Sequence, residues 1–170
     1  KKTKLQAPKG THDILPDDHK FFTMIKKVVR HRARQSGFNR ISTPVFEDTD
    51  VFQRGIGDTT DIVEKEMFTF SSKDGEKSYS LKPEATAGIV RSYIEHGMAS
   101  LPQPVQLYCI EPHFRYDKPQ KGRYRQFHQL DFEIIGEADA ALDAQVINLA
   151  YKINQDLEIA EMLTLQINSI

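Results

Sequence analysis

The stretch from Arg125 to Ile135 constrains the fold most strongly. Gln129, Asp131 and Glu133 alternate there with His128, Leu130, Phe132 and Ile134. A period of two sends successive side chains to opposite faces of a β-strand, so this segment is expected to be a long strand ended by Gly136. One face is polar and the other apolar enough to be core. Val105 to Ile110 and His113 to Asp117, set around Glu111-Pro112, read as further strands. Lys118-Pro119-Gln120-Lys121-Gly122 reads as the loop that leads into the long strand.

Helical periodicity marks three other regions. Phe21, Phe22, Ile25, Val28, Val29 and Ala33 recur at helical spacing between Pro16-Asp17-Asp18 and Gly37, a strong start and stop. Glu84 to His96 carries Ala87, Ile89, Val90 and Ile94 mostly on one side, and Leu142 to Leu157 repeats the pattern. Asn39 to Phe46 reads as a short extended segment broken by Pro44. Met67 to Ser71 and Ser78 to Leu81 flank Asp74-Gly75, a hairpin signal. Met162 to Asn168 reads as a last strand. Strands joined by short turns, with helices set apart, predict an α+β fold: an antiparallel sheet covered by helices on one side. The strict βαβ alternation and glycine-rich signatures of a dinucleotide fold are missing.

Composition narrows the function class. In 170 residues, Lys+Arg 23 against Asp+Glu 24 gives a net charge of −1, which excludes a uniformly basic nucleic-acid coat but not a local basic patch. No apolar run approaches the ~20 residues of a membrane helix. The one cysteine, Cys109, excludes an internal disulfide framework and reads as a small core residue in a reducing, cytoplasmic setting. His12, His19, His31, His96, His113 and His128 show no HxxxH spacing, so no protein-bound structural zinc is expected.

Chemistry concentrates around the expected hairpin. Arg115, Lys118, Lys121, Arg123 and Arg125 crowd together, opposed in sequence by Asp117 alone. Forked guanidinium donors on a rigid hairpin suit a polyphosphate; a solvated hairpin tip fits the charge pattern as well. Beside it, the stripe Gln129, Asp131, Glu133 offers acceptors for an ammonium, although a solvent-facing strand also reads polar. Glu84 and Thr86, in Lys82-Pro83-Glu84-Ala85-Thr86, fall at a helix N-terminus. A carboxylate is favoured there as a cap, and the segment is also a second candidate for the site.

Several of these segments resemble one family in order and spacing. Phe114-Arg115-Tyr116 followed by Pro119-Gln120-Lys121-Gly122-Arg123-Tyr124-Arg125-Gln126-Phe127-His128-Gln129 is similar to motif 2 of histidyl-tRNA synthetases. Leu81 to Gly88 resembles their histidine-binding segment, and Pro8 to Asp13 their N-terminal signature. Thr43 to Glu47, with the helix before it, resembles class II motif 1, and Val63 to Phe68 is close to bacterial members. The resemblance implies a class II synthetase core that condenses L-histidine with ATP to histidyl-adenylate and transfers it to the 3′ end of tRNA(His). It implies Arg115 on the α-phosphate and amino-acid carboxylate, and Arg123 on ATP. It implies Glu84, Thr86 and Gln129 on the α-ammonium, Ala85 lining the site, and Glu133 on the imidazole. Mg²⁺ is expected on the ATP phosphates, with no metal held by the protein itself. A homodimer through motif 1 is expected to bury Phe38 to Phe52 across a two-fold axis.

The pattern is incomplete. Nothing resembles motif 3, the second histidine-binding segment, the insertion domain or the anticodon-binding domain, and Ala85 stands where many members carry glycine. Residues 1–170 are therefore expected to be the N-terminal part of a catalytic domain from a longer protein, with little activity alone. The alternative is a synthetase-like, histidine-binding regulatory subunit of ATP phosphoribosyltransferase. The Gln120-Lys121-Gly122-Arg123 loop favours the synthetase, because a regulator need not engage ATP.

Overall fold

The computed structural model describes residues 4–56 and 66–168. Among them, two three-stranded sheets meet four α-helices. The larger sheet has β5 (Val105–Phe114) at its centre. On one side β5 pairs antiparallel with β6 (Gln126–Ile135) along its whole length, from Val105 opposite Ile135 to Phe114 opposite Gln126. On the other side lies the short β1 (Asn39–Arg40), which runs parallel.

Alternation decides what each face meets. Leu130, Phe132 and Ile134 pack with Tyr108 and Ile110 against α1 (His19–Gln35) and α4 (Ala140–Asp156). The centre of that layer is Val29, Ala33, Phe38, Leu149 and Ile153, all nearly solvent-free. The Arg32 guanidinium forks onto the Asp156 carboxylate, Nε to Oδ2 at 2.7 Å and a terminal nitrogen to Oδ1 at 2.5 Å, tying the ends of α1 and α4 together. α4 starts where Asp139 Oδ1 accepts the Ala141 N–H at 2.8 Å, an N-cap. The opposite face of the sheet packs Leu107 and Cys109 against Ala85 and Ile89 at the start of α3 (Thr86–Glu95). Helices therefore cover both faces, not one; the second cover is partial and leaves the polar stripe of β6 beside α3.

The smaller sheet joins β2 (Phe46–Asp48) and β3 (Thr69–Ser71) to the two sides of β4 (Ser78–Leu81), all antiparallel. Its β3–β4 turn carries Asp74-Gly75, with Gly75 at φ +78°, as the hairpin signal predicts. Lys82 links the sheets: its N–H donates to Val45 O at 3.0 Å and its carbonyl accepts the Phe114 N–H at 2.9 Å.

Several sequence expectations need correction. Glu111-Pro112 does not divide two strands; β5 runs through it. The Phe114 N–H points to Lys82 rather than to β6, and by strand alternation Pro112 faces the same way, so its missing N–H breaks no bond to β6. The segment Asn39 to Phe46 is not one strand but two, β1 and β2, in different sheets on either side of Pro44. His128, expected on the core face, is exposed at the rim, its ring edge-on to Phe22 at 5.1 Å. No strand forms over Met162 to Asn168. After a 3₁₀ turn (Ala160–Met162) the chain runs on without a ladder partner among the described residues, and Met162, Leu165 and Ile167 stay exposed. An extended segment needs such a partner to become a strand. α2 (Thr49–Ile56), unforeseen, buries Phe52. Val63, Glu64 and Lys65 of the segment close to bacterial members lie outside the described residues. No described helix is long and apolar enough to cross a membrane.

Leu149 is the best probe of the α1–α4 layer, being 1% exposed at its centre. Leu149→Ala is expected to lower unfolding free energy by about 2–5 kcal/mol, transfer plus cavity, read from chemical denaturation midpoints.

Candidate functional site

The β5–β6 register puts Gln129, Asp131 and Glu133 on one face, opposite Glu111, Cys109 and Leu107. The start of α3 reaches the same face. Thr86 Oγ1 donates to Glu133 Oε1 at 2.5 Å across 47 positions of sequence. Glu84 sits two residues earlier and caps the helix: Oε2 accepts the Thr86 N–H at 2.6 Å and Oε1 the Ala87 N–H at 3.0 Å. The capping reading of Glu84 is thus met, and its charge still bears on Glu133 and Asp131. Ala85 is 1% exposed and belongs to the apolar cluster with Ile89 and Cys109, beneath the face rather than on it.

Arg115 follows β5 directly. Its Nε donates to Pro83 O at 2.9 Å, and its guanidinium lies 5.3 Å from the centre of the Phe127 ring. It is thereby fixed beside the Glu84 segment. Arg123, in the loop between β5 and β6, is ion-paired with Asp117 and lies 3.9 Å from Glu66. Asp117 is therefore not the only acid opposing the basic loop. Arg125 stacks over Tyr116 at 4.0 Å, and its N–H donates to Gly10 O at 2.7 Å, which docks the N-terminal segment on the hairpin. Gly10 has φ +87°, and a Cβ there would fall 2.8 Å from Arg125 Cγ, so both backbone and space require glycine.

Two buried groups escaped sequence reasoning. Lys82 is 2% exposed and ion-paired with the buried Glu111. A charged side chain is rarely buried unless paired, and the partner lies 29 positions away, so no local pattern reveals it. His113 is wholly buried, its Nδ1 within 3.1 Å of Glu111 O. Burial, with the nearby Lys82 charge, brings its pKa down to about 4, so the ring is neutral at pH 7. Cys109 is buried as expected, and burial raises its thiol pKa far above the ordinary value, which makes it a poor nucleophile. No group of three or more metal-capable side chains gathers among the described residues.

Beside the face, an open groove of about 820 Å³ runs from Glu84 and Thr86 along α2 and α3. A smaller cavity of about 330 Å³, between the N-terminal segment, α1 and β6, touches only Gln129 of the candidate residues. The carboxylates of the face carry a titration signature. Burial pushes Asp131 up to about 6 and raises Glu133 as well, the Thr86 bond offsetting part of the latter. A carboxyl whose folded pKa exceeds its unfolded 3.8 holds its proton more tightly when folded. Its contribution to stability is present at low pH and is lost as pH rises towards the folded pKa. Asp131→Asn should therefore gain stability relative to the native chain between pH 4 and 6 and stay level above. Denaturation midpoints of both forms across that window check the sign.

A family model described as Histidyl-tRNA synthetase matches residues 10–169. Histidine--tRNA ligase of Desulforudis audaxviator is 50% identical over 166 residues, covering 98% of this chain and 39% of that protein. The Acetivibrio thermocellus relative of the same name is 51% identical over 165 residues, 97% of this chain and 39% of its own length. The crystal structure of apo S. aureus histidyl-tRNA synthetase superposes with TM-score 0.75 at 39% identity, over 89% of this chain and 34% of that one. A Bacillus halodurans structure titled as an ATP phosphoribosyltransferase regulatory subunit/histidyl-tRNA synthetase has TM-score 0.79 at 24% identity, over 94% of this chain and 40% of that one; it shares the fold. The chain thus spans about 39% of the length of the curated relatives it matches. With matched segments running in order through both sheets and the loop between β5 and β6, the chain belongs to the histidyl-tRNA synthetase family.

Proposed function

We propose that this chain is the N-terminal part of the catalytic domain of a histidine–tRNA ligase, which activates L-histidine with ATP and passes it to the 3′ end of tRNA(His). The convergence of Glu84, Thr86 and Glu133 with the anchored Arg115, from segments far apart in sequence, carries this reading. Arg115 uses Nε on Pro83 O and offers its terminal nitrogens to the α-phosphate and the amino-acid carboxylate. As the carboxylate attacks in line, charge builds on that phosphate, and a preorganised guanidinium stabilises the transition state more than the ground state. Glu84, Thr86 and Gln129 take the α-ammonium, Glu133 the imidazole, and Ala85 shapes the floor beneath them.

Arg123 would exchange its pairing with Asp117 for ATP. Arg115 and Arg123 suit phosphate oxygens rather than a cation, so Mg²⁺ would be held mainly through the ATP phosphates, where it would supply charge neutralisation. Motif 3, the second histidine-binding segment, the insertion and the anticodon-binding domains belong, on this reading, to the remainder of a longer protein. That protein acts in the cytoplasm as a homodimer through Phe38 to Phe52. Phe38 and Phe52 are buried within the chain, but Val45 and Phe46 between them are 44% and 49% exposed, apolar surface fit for a symmetric contact. The regulatory-subunit alternative has a 24% identical neighbour, against 50% for the named ligase.

Three outcomes are expected. Full-length parent enzyme should catalyse histidine-dependent ATP–pyrophosphate exchange, whereas the isolated chain should fall at least about 10²–10³-fold below it, for lack of further electrostatic contacts. Arg115→Lys in the parent should lose most of kcat with little change in KM for ATP, since Lys keeps the charge but not the fork. Light scattering should show the parent as a dimer, and a charge placed at Val45 or Phe46 should shift it towards monomer.

A further inference from the structure

Lys82, Pro83, Glu84 and Ala85 join β4 to α3 and belong to neither a strand nor a helix. Two fixtures of the proposed site nevertheless come from this link. Pro83 O takes the Arg115 Nε–H at 2.9 Å, and the Glu84 carboxylate caps α3. No ladder or helical turn places the Pro83 carbonyl, so its position must come from other ties. Lys82 supplies them. Its buried ammonium donates to Glu111 Oε2 on β5 and lies 3.4 Å from both Thr43 O and Thr43 Oγ1, ahead of β2. That uses all three donors of an ammonium. Its carbonyl accepts the Phe114 N–H at 2.9 Å, so side chain and backbone both grip β5 within the last four residues before Arg115. His113, between those grips, is wholly buried, with Nδ1 3.1 Å from Glu111 O. Burial, then the Lys82 charge and more weakly that of Arg115, disfavour its protonation, so no third cation competes for Glu111.

We infer that Lys82 and Glu111 are positioning residues for the activation step: their buried ion pair sets the Pro83 carbonyl against β5, and through it the direction in which Arg115 presents its terminal nitrogens. The inference rests on the ligase reading above. Stability alone does not call for this pair, since apolar side chains of similar volume often serve a core as well or better. What the pair adds is direction. An ammonium bonded to a carboxylate holds one geometry, whereas apolar contacts slide. The Nε bond fixes the plane of the Arg115 guanidinium, and a shift of Pro83 O would tilt its fork away from the phosphate. A misplacement of about 1 Å can cost about 10²-fold in rate. Because that contact counts most in the transition state, the loss belongs in kcat rather than in KM.

The test is histidine-dependent ATP–pyrophosphate exchange by the full-length parent. Lys82→Met combined with Glu111→Leu replaces the pair by apolar side chains and leaves no unpaired charge. This double variant should keep its denaturation midpoint yet lose about 10–100-fold in kcat, with KM for ATP and for histidine changed less than about threefold. Lys82→Arg, which keeps the charge pairing, should retain most of kcat; a loss as large as that of the double variant overturns the inference. The deciding readout is a cycle with Arg115→Lys, which has no Nε–H to give to Pro83 O. In that background the double substitution should cost less than about threefold, because residues that act through one another do not add. A folded double variant with native kcat overturns the inference. An equal loss in both Arg115 backgrounds also overturns it, since a merely structural role would add. Should the double variant not fold, Glu111→Gln, which keeps the shape and an acceptor, enters the same cycle and is judged by the same two results. Absence of exchange in the native parent overturns the ligase reading, and this inference with it; that result is distinct from exchange that ignores the pair.

Discussion

The β5–β6 ladder is the interaction on which the rest of the molecule depends. Ten paired positions, from Val105–Ile135 to Phe114–Gln126, lock the register of both strands. A slip of one residue would exchange their faces. Leu130, Phe132 and Ile134 would then leave the layer formed with Val29 and Leu149, and Asp131 and Glu133 would enter it. The apolar layer and the polar face are thus two consequences of one register, and the large burial on the helix side holds the carboxylates where they stand.

Lys82 is the second organising point. Its backbone bonds both to Val45, at the entry to β2, and to Phe114, at the end of β5, and its side chain neutralises Glu111 within the core. A buried ion pair adds little net stability, but removing one partner leaves an uncompensated charge. The pair therefore binds the two sheets in one arrangement. Pro83 and Glu84 follow immediately, so the carbonyl that anchors Arg115 and the carboxylate that caps α3 inherit their positions from it.

The same geometry sets the charge pattern of the face. Its acids are half-buried, and Thr86, a backbone helix end and a thiol supply the donors. Each is a neutral group, so the donors of the face do not offset the charge of its acids. Arg115 stands at the edge of the face, where its own charge is held by Pro83 O and the Phe127 ring. On the proposed reading, the positive and negative ends of an amino acid would meet opposite ends of one site.

Local chemistry was enough to read much of this from the residues. The alternation in β6 named its polar face, Asp74-Gly75 named the β3–β4 turn, and helical spacing named α1, α3 and α4, because each signal lies within a few residues. The ordered motifs likewise pointed to the family. Tertiary structure alone decided the rest. Pro112 continues a strand because its missing N–H faces away from β6. Met162 to Asn168 stays out of the sheets because no described strand pairs with it. Lys82 is buried because Glu111 meets it, and Ala85 lies under the face rather than on it. Each of these depends on a partner far away in sequence, and pairing at a distance is a property of packing that no local pattern contains.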